Sequence, residues 1–218
     1  MIQGRGLMNW QAIFFDFDGV VLDSVNVKTK AFARMFRQYG PGVEKSVVDY
    51  HLNNGGISRF EKFRYYYEHI LHRPIDDQKI NELAEEFSSL VLENVLNSPF
   101  IPGVLETLNQ LKKENIPAYI VSGTPQDEIN TIVVRKKLGR FFQKVYGSPR
   151  QKDEIIRDIL ETNGYGEKNC LFIGDAMTDF AAAQKTGVCF LGIVKRNEPS
   201  PFPKETFISY RVTIKLAS

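Results

Sequence analysis

Short apolar runs alternate with helical stretches along most of this chain. The runs predict buried strands at 12–15, 117–121, 144–147, 170–173 and 188–194. Apolar positions at helical spacing predict helices at 104–115, 124–138 and 153–162, and in the Ala-rich segment that ends at Gly187. Strands that alternate with helices are typical of an α/β fold, and we expect a doubly wound parallel sheet.

The stretch after the first strand shows only helical patterns. Asp23 or Ser24 can cap a first helix, which is predicted to stop near 40–42, before a polar segment. Ser58 opens a capping box and a second helix, and Asp76 begins another. The sequence therefore predicts a discontinuous core with an inserted helical cap subdomain: 10–21 and 99–218 for the core, 22–98 for the cap.

Composition narrows the class of protein. The 218 residues are 43% hydrophobic and 25% charged, which is enough for a sizeable core. A net charge of +2 is too small to indicate a nucleic-acid partner, and no apolar run reaches the ~18 residues of a membrane span. Cys170 and Cys189 lie in apolar runs, which favours core positions. We expect a cytoplasmic protein, with Met8 as an alternative start, and leave its oligomeric state open.

Two carboxylates follow the first strand. Asp16 and Asp18 are one residue apart and precede Gly19, so an extended chain directs both to the same side. Open α/β sheets bind ligands at this end of their strands. Two carboxylates there can bind Mg2+, or one can attack phosphorus while the other transfers a proton. A lone Asp-x-Asp-Gly is also typical of a simple turn.

Polar groups also follow two of the later strands. Ser122, Gly123 and Thr124 lie between a strand and a helix, where a hydroxyl and backbone N–H groups can bind an anion. Thr124 is also a candidate helix N-cap. Lys152 follows the third strand as a candidate fixed cation, with Arg150 as the second choice and a solvated helical turn as the alternative.

The fourth strand leads into a second acidic pair, Asp175 and Asp179, in the pattern G-D-x-x-x-D. An unpaired buried carboxylate is costly, so these side chains are candidate metal ligands, with a supporting role as the alternative for Asp179.

These four groups, each at a predicted strand end, resemble the four motifs of the haloacid dehalogenase-like hydrolases, most of which are Mg2+-dependent phosphatases. The resemblance covers nearly the whole chain except the first nine residues and the tail. It implies that Asp16 is the nucleophile of an aspartyl-phosphate mechanism and Asp18 the general acid/base. Ser122 and Lys152 would hold the phosphoryl group of a small phosphorylated metabolite. The implied Mg2+ ligands are Asp16, Asp18, Asp175 and Asp179.

The segment Gly56–Arg59 resembles the cap loop of β-phosphoglucomutase-like members, whose Arg contacts the non-transferring phosphate. Arg59 and Lys62 are therefore candidate substrate-binding residues, apart from a predicted apolar stripe of Phe60, Phe63 and Tyr67. A solvated helix face is the alternative.

Two other functions remain as alternatives. The mutases carry His four residues after the hydroxyl residue of the first cap helix, where this chain has Lys28, four after Ser24. We therefore expect a phosphatase and keep a sugar phosphomutase as the alternative. A non-catalytic phospho-receiver is a weaker alternative, because receivers need neither Asp18 nor a helical cap.

Overall fold

The computed structural model describes residues 9–214, and Met8 lies outside this range. Within it, six parallel strands form one sheet in the order β3-β2-β1-β4-β5-β6. The strands are β1 (Ala12–Phe15), β2 (Ala118–Pro125), β3 (Lys144–Ser148), β4 (Cys170–Gly174), β5 (Cys189–Ile193) and β6 (Ile208–Ser209). This topology confirms the predicted doubly wound α/β sheet.

Eight α-helices accompany the sheet in the described part of the chain. They are α1 (Val25–Phe36), α2 (Pro41–Asn53), α3 (Arg59–Tyr65), α4 (Asp77–Asn97), α5 (Val104–Lys113), α6 (Gln126–Arg135), α7 (Lys152–Asn163) and α8 (Met177–Thr186). Of these helices, none combines the length and apolar character that a membrane crossing needs.

The central strand β1 is buried on both faces, and its residues alternate between two apolar clusters. Ile13 and Phe15 pack into the larger cluster, together with residues of the helices α1 to α6. Ala12 and Phe14 pack into the other cluster, against α7 and α8. Because both faces of the sheet are covered, β1 carries an unbroken apolar sequence, as expected for a parallel strand.

Five α-helices lie between β1 and β2 in the described chain, and the first four, α1 to α4, occupy the range where the sequence predicts a helical insertion. Their shared core is aromatic: the Phe32 ring lies 4.2 Å from that of Phe87 and 5.6 Å from that of Phe63, between ring centroids. The division of the chain into two domains at residues 22 and 98 stays a prediction.

The segment after residue 40, for which the sequence indicated only polar character, contains a helix, because Pro41–Asn53 forms α2. Gly40, with φ of 95°, ends the preceding turn, and Pro41 occupies the first helical position, which suits its fixed φ. The helix buries only Val47 and His51. Its apolar stripe is therefore too weak to be recognised in the sequence.

The predicted boundaries around β2 and α6 also need correction. Thr124 belongs to β2, which continues to Pro125, so Thr124 is not the N-cap of the next helix. The helix ends at Arg135, three residues before the predicted Leu138. Lys137 adopts a positive φ of 56°, which an α-helix does not allow.

The predicted apolar stripe of α3 packs against the core, with Phe63 buried and Phe60 and Tyr67 partly buried. The buried positions of the helix also include Arg59 and Lys62, which are 4% and 2% exposed. The alternative of a solvated basic face is therefore excluded.

Candidate active site

Three carboxylates meet at the carboxyl ends of β1 and β4. Oxygens of Asp16, Asp175 and Asp179 all lie within 4.8 Å of one another. Burial, together with repulsion from Asp179 and Asp18, raises the pKa of Asp16 to about 7, despite the opposing effect of Lys152. Burial and repulsion from Asp16 also raise the pKa of Asp175 well above 3.8. A divalent cation bound by these oxygens would relieve this repulsion, so the donor set fits Mg2+.

Lys152 is the cation of this cluster. Its Nζ lies 3.1 Å from Oδ1 of Asp16 and 2.6 Å from Oδ1 of Asp179, and the residue is 7% exposed. Burial opposes its charge, but Asp16 and Asp179 outweigh burial and raise the pKa of Lys152. Arg150, the second candidate, instead pairs with Asp158 at the surface. Lys152 is therefore a permanently charged neighbour of the predicted nucleophile.

Asp179 also orders the start of α8. Its Oδ2 accepts a hydrogen bond from the backbone N–H of Ala176, at 3.1 Å, while its Oδ1 accepts from Lys152. The side chain is fully buried. Asp179 thus fixes the position of Lys152 in addition to contributing a carboxylate to the cluster.

The turn after β1 depends on Gly19. Its φ is +81°, and a Cβ at this position would lie 2.0 Å from Oδ2 of Asp175. Only glycine allows both this backbone conformation and so close an approach. The turn can therefore bring the groups after β1 against the end of β4.

The Asp18 carboxylate has a different set of partners. Its Oδ1 accepts a hydrogen bond from Ser24 Oγ at 2.5 Å, and its Oδ2 accepts from Thr124 Oγ1 at 3.0 Å and from Lys28 Nζ. Burial opposes ionisation, but Lys28 and these hydrogen bonds outweigh burial and lower the pKa of Asp18. Asp18 is not part of the three-carboxylate cluster, so its predicted role as a side-chain metal ligand stays a prediction.

Ser122 and Gly123 lie beside this cluster at the end of β2. Ser122 is 1% exposed, and its Oγ accepts a hydrogen bond from the Thr124 backbone N–H at 3.1 Å. Ser122 and Lys152 line one cavity of about 150 Å³. A Cβ on Gly123 would lie 2.4 Å from the carbonyl oxygen of Gly56. The loop before α3 therefore packs directly on the last residues of β2.

A larger cavity of about 390 Å³ joins the strand ends to the helical segment α1 to α4. Asp16, Asp18 and Asp175 line it from the strand ends, and His51 and Lys62 line it from the helices. The predicted catalytic carboxylates and the predicted substrate-binding lysine therefore face one shared space.

A family model described as haloacid dehalogenase-like hydrolase matches residues 13–193. The chain belongs to the haloacid dehalogenase-like hydrolase family. The matched range includes all four groups at the strand ends and the helical segment between β1 and β2. The resemblance inferred from Asp16, Ser122, Lys152 and Asp175 is thereby confirmed.

Curated relatives of this hydrolase include two phosphatases. The chain is 26% identical to phosphoglycolate phosphatase of Pseudomonas putida over 187 residues, which are 83% of this chain and 68% of the relative. It is 27% identical to phosphoglycolate phosphatase 1 of Pseudomonas aeruginosa over 184 residues, 81% of this chain and 66% of the relative. With the family membership, these similarities confirm the predicted class, a phosphatase.

Solved structures share the fold. A β-phosphoglucomutase from Clostridium difficile superposes with a TM-score of 0.75 at 19% identity, over 93% of this chain and 91% of the other. A haloacid dehalogenase-like family hydrolase from Streptococcus pneumoniae superposes with a TM-score of 0.62 at 22% identity, over 85% of each chain. Similarity at this level establishes the architecture of the hydrolase.

Arg59 reaches from the helical segment to α6. Its Nη1 and Nη2 lie 2.8 Å and 2.6 Å from the two carboxylate oxygens of Glu128, and its Nη1 also donates to Ser88 Oγ at 2.6 Å. Arg59 lines the larger cavity, but its charge is already balanced by Glu128. Sequence reasoning missed Glu128, because an acid in the first turn of a helix is ordinary.

Lys62 is hydrogen-bonded to a second residue that the sequence did not reveal. Its Nζ lies 2.8 Å from Nδ1 of His51, which is buried on α2. The unrecognised helix α2 concealed this histidine. A polar residue at an otherwise apolar helical position was the only available signal.

Proposed function

We propose that this hydrolase is a Mg2+-dependent phosphatase that acts on a small phosphorylated metabolite through an aspartyl-phosphate intermediate. The observation that carries the proposal is the position of Asp16. Its carboxylate ends the central strand, faces the larger cavity, and lies beside two further carboxylates and Lys152. This arrangement supports a nucleophile next to a metal site.

Asp16, Asp175 and Asp179 would hold the metal ion. Mg2+ prefers oxygen ligands, and three carboxylates within 4.8 Å of one another match that preference. Bound there, Mg2+ supplies positive charge that neutralises phosphoryl oxygens and keeps Asp16 ionised.

The side chains have complementary roles in the proposed mechanism. Asp16 attacks phosphorus in line, a new O–P bond forms, and the ester P–O bond breaks. Lys152 and the Ser122 hydroxyl stabilise the phosphoryl oxygens. Asp18 gives a proton to the leaving oxygen. It then takes a proton from the water that attacks the aspartyl phosphate, so inorganic phosphate is released and Asp16 is regenerated.

Lys28 favours hydrolysis over the mutase alternative. Lys28 occupies the position at which the β-phosphoglucomutase-like members carry His. Its ammonium donates hydrogen bonds to both Asp18 and Thr124. This ion pair stabilises the carboxylate that Asp18 becomes once it has given its proton to the leaving oxygen, and that carboxylate then activates water. The paired acids Asp16 and Asp18, together with the helical segment that lines their cavity, also disfavour the phospho-receiver alternative.

The cavity and the relatives suggest which substrates to test first. A space of about 390 Å³ suits a compact metabolite. The relatives named phosphoglycolate phosphatases make phosphoglycolate the first candidate. We also infer a cytoplasmic setting, which the free thiols of Cys170 and Cys189 support.

The decisive experiment measures phosphate release from phosphoglycolate and from an aryl phosphate. We expect release by the wild type with Mg2+, loss of release with EDTA, and no release by Asp16→Asn. Asp158→Asn, at an exposed site paired with Arg150, is the matched control and should retain activity. Substantial turnover by purified Asp16→Asn would refute Asp16 as the nucleophile.

A further inference from the structure

Three cations from the helical segment line the larger cavity, and two of them have a carboxylate partner. Arg59 is paired with Glu128, and Lys28 is paired with Asp18. Lys62 is the exception, because it forms no ion pair with any carboxylate among residues 9–214. Of these three cations, Lys62 is therefore the one whose charge no carboxylate among residues 9–214 balances.

Lys62 is held in an environment that opposes its charge. It is 2% exposed, and its Nζ lies 5.8 Å from the centroid of the Phe32 ring. Burial and repulsion from Lys28 lower its pKa to about 7. A buried ammonium without a counter-charge is unfavourable, so a bound anion would stabilise Lys62 in its charged form.

His51 orients this ammonium. Its Nδ1 lies 2.8 Å from Lys62 Nζ, and burial together with Lys62 lowers the pKa of His51 to about 3. The imidazole is therefore neutral, and with Lys62 in its charged form it accepts at Nδ1 and carries its own proton on Nε2. His51 is 7% exposed, and its Nε2 has no hydrogen-bond partner among the described residues. The cavity wall thus presents a cation that has no carboxylate partner among the described residues and is held by a buried imidazole.

We propose that Lys62, positioned by His51, binds a second anionic group of the substrate. The substrate is then a small phosphate monoester whose far end carries a carboxylate or another phosphate. This inference rests on the proposed phosphatase function and specifies its substrate class. Arg59 is not the residue that selects this group, because Glu128 already balances its charge through two hydrogen bonds.

Binding of stable phosphonates tests the proposal without turnover. Calorimetry on the full chain with Mg2+ compares 3-phosphonopropanoate with 3-hydroxypropylphosphonate, in which a neutral hydroxymethyl replaces the carboxylate. We expect the wild type to bind the carboxylate compound about ten- to hundredfold more tightly, as charge-assisted hydrogen bonds allow. Ethane-1,2-bisphosphonate, with a second phosphonate, shows which anion is preferred.

Variants then assign the preference to the proposed pair. Lys62→Met should remove the preference, so that the charged and the neutral phosphonates bind this variant about equally. His51→Ala should reduce the preference, and His51→Gln, which keeps an acceptor, should restore part of it. Lys45→Met is the matched control, because Lys45 is exposed on α2 and pairs only with Asp49. It should behave as the wild type.

The two proposals can fail separately. Equal binding of the charged and neutral phosphonates by the wild type would refute the role of Lys62, and this outcome needs no variant. A preference that survives in folded Lys62→Met would refute it too. By contrast, absence of Mg2+-dependent phosphate release from any ester, with the binding preference intact, would refute the phosphatase mechanism alone.

Discussion

The guanidinium of Arg59 on α3 and the carboxylate of Glu128 on α6 form a buried, two-point ion pair, with N–O distances of 2.6 and 2.8 Å. Their side chains are only 4% and 7% exposed. The pair joins a helix that precedes β2 to a helix that follows it. It therefore links the helical segment to α6, and its Arg59 lines the larger cavity.

Removing one partner of this pair should be strongly destabilising. Glu128→Gln leaves the Arg59 charge buried without compensation, so we expect the free energy of unfolding to fall by about 3–5 kcal/mol. Urea denaturation measures the loss. Glu93→Gln is the control, because Glu93 on α4 and Arg135 on α6 form an ion pair whose two side chains are exposed. The control should lose much less stability, because exposed ion pairs contribute little, and equal losses would contradict the argument.

Removing both charges separates stability from substrate selection. The double variant Arg59→Met/Glu128→Met has no unpaired charge, so it should recover most of the stability that Glu128→Gln loses. It should also keep the preference for an anionic phosphonate, because Lys62 and His51 are unchanged. Calorimetry with the same phosphonate pair checks this. If the double variant lost the preference, Arg59 would have the substrate-binding role that the sequence predicted.

Asp18→Asn should fail at a different step from Asp16→Asn. The nucleophile remains, and an aryl leaving group needs little proton assistance, so the first transfer should proceed. Attack by water loses its base, which slows that step by about 10²–10⁴-fold. We therefore expect a burst with aryl phosphate and a phosphorylated protein, detected by intact-mass measurement after rapid quench. Equal slowing of aryl and alkyl esters without an adduct would assign the general acid/base role to another group.

The stability of the metal-free protein should depend on pH through Asp16. Its pKa rises from 3.8 to about 7 on folding, so the folded state binds more protons than the unfolded state between these values. Stability contributed by the protonated form is present below pH 4 and is lost as pH rises through 7. The loss is at most about 4 kcal/mol.

Asp16→Asn provides the comparison for this pH effect, because Asn cannot ionise. In EDTA, the wild type should lose more stability than Asp16→Asn between pH 5 and pH 8, measured by urea denaturation at each pH. Adding Mg2+ at pH 8 should stabilise the wild type and have less effect on Asp16→Asn. Parallel pH dependence of the two proteins would show that Asp16 is not the group responsible.

The sequence by itself determined the fold class and the groups at the strand ends. Buried parallel strands require short apolar runs. The carboxylates of Asp16 and Asp175 directly follow two of these runs, and they stand out because a buried charge is costly unless it is paired or binds a metal. The order of these groups along the chain was sufficient to identify the family. This information is local, so it can be read from neighbouring residues.

Only the tertiary structure decided the partners of the buried cations. Arg59 meets Glu128 and Lys62 meets His51 across 69 and 11 residues of chain. Such pairs form because helices from different parts of the chain pack around one cavity, and helical periodicity does not specify which faces meet. The sequence therefore identified Arg59 and Lys62 as basic, but their burial and their different charge balance follow from packing alone.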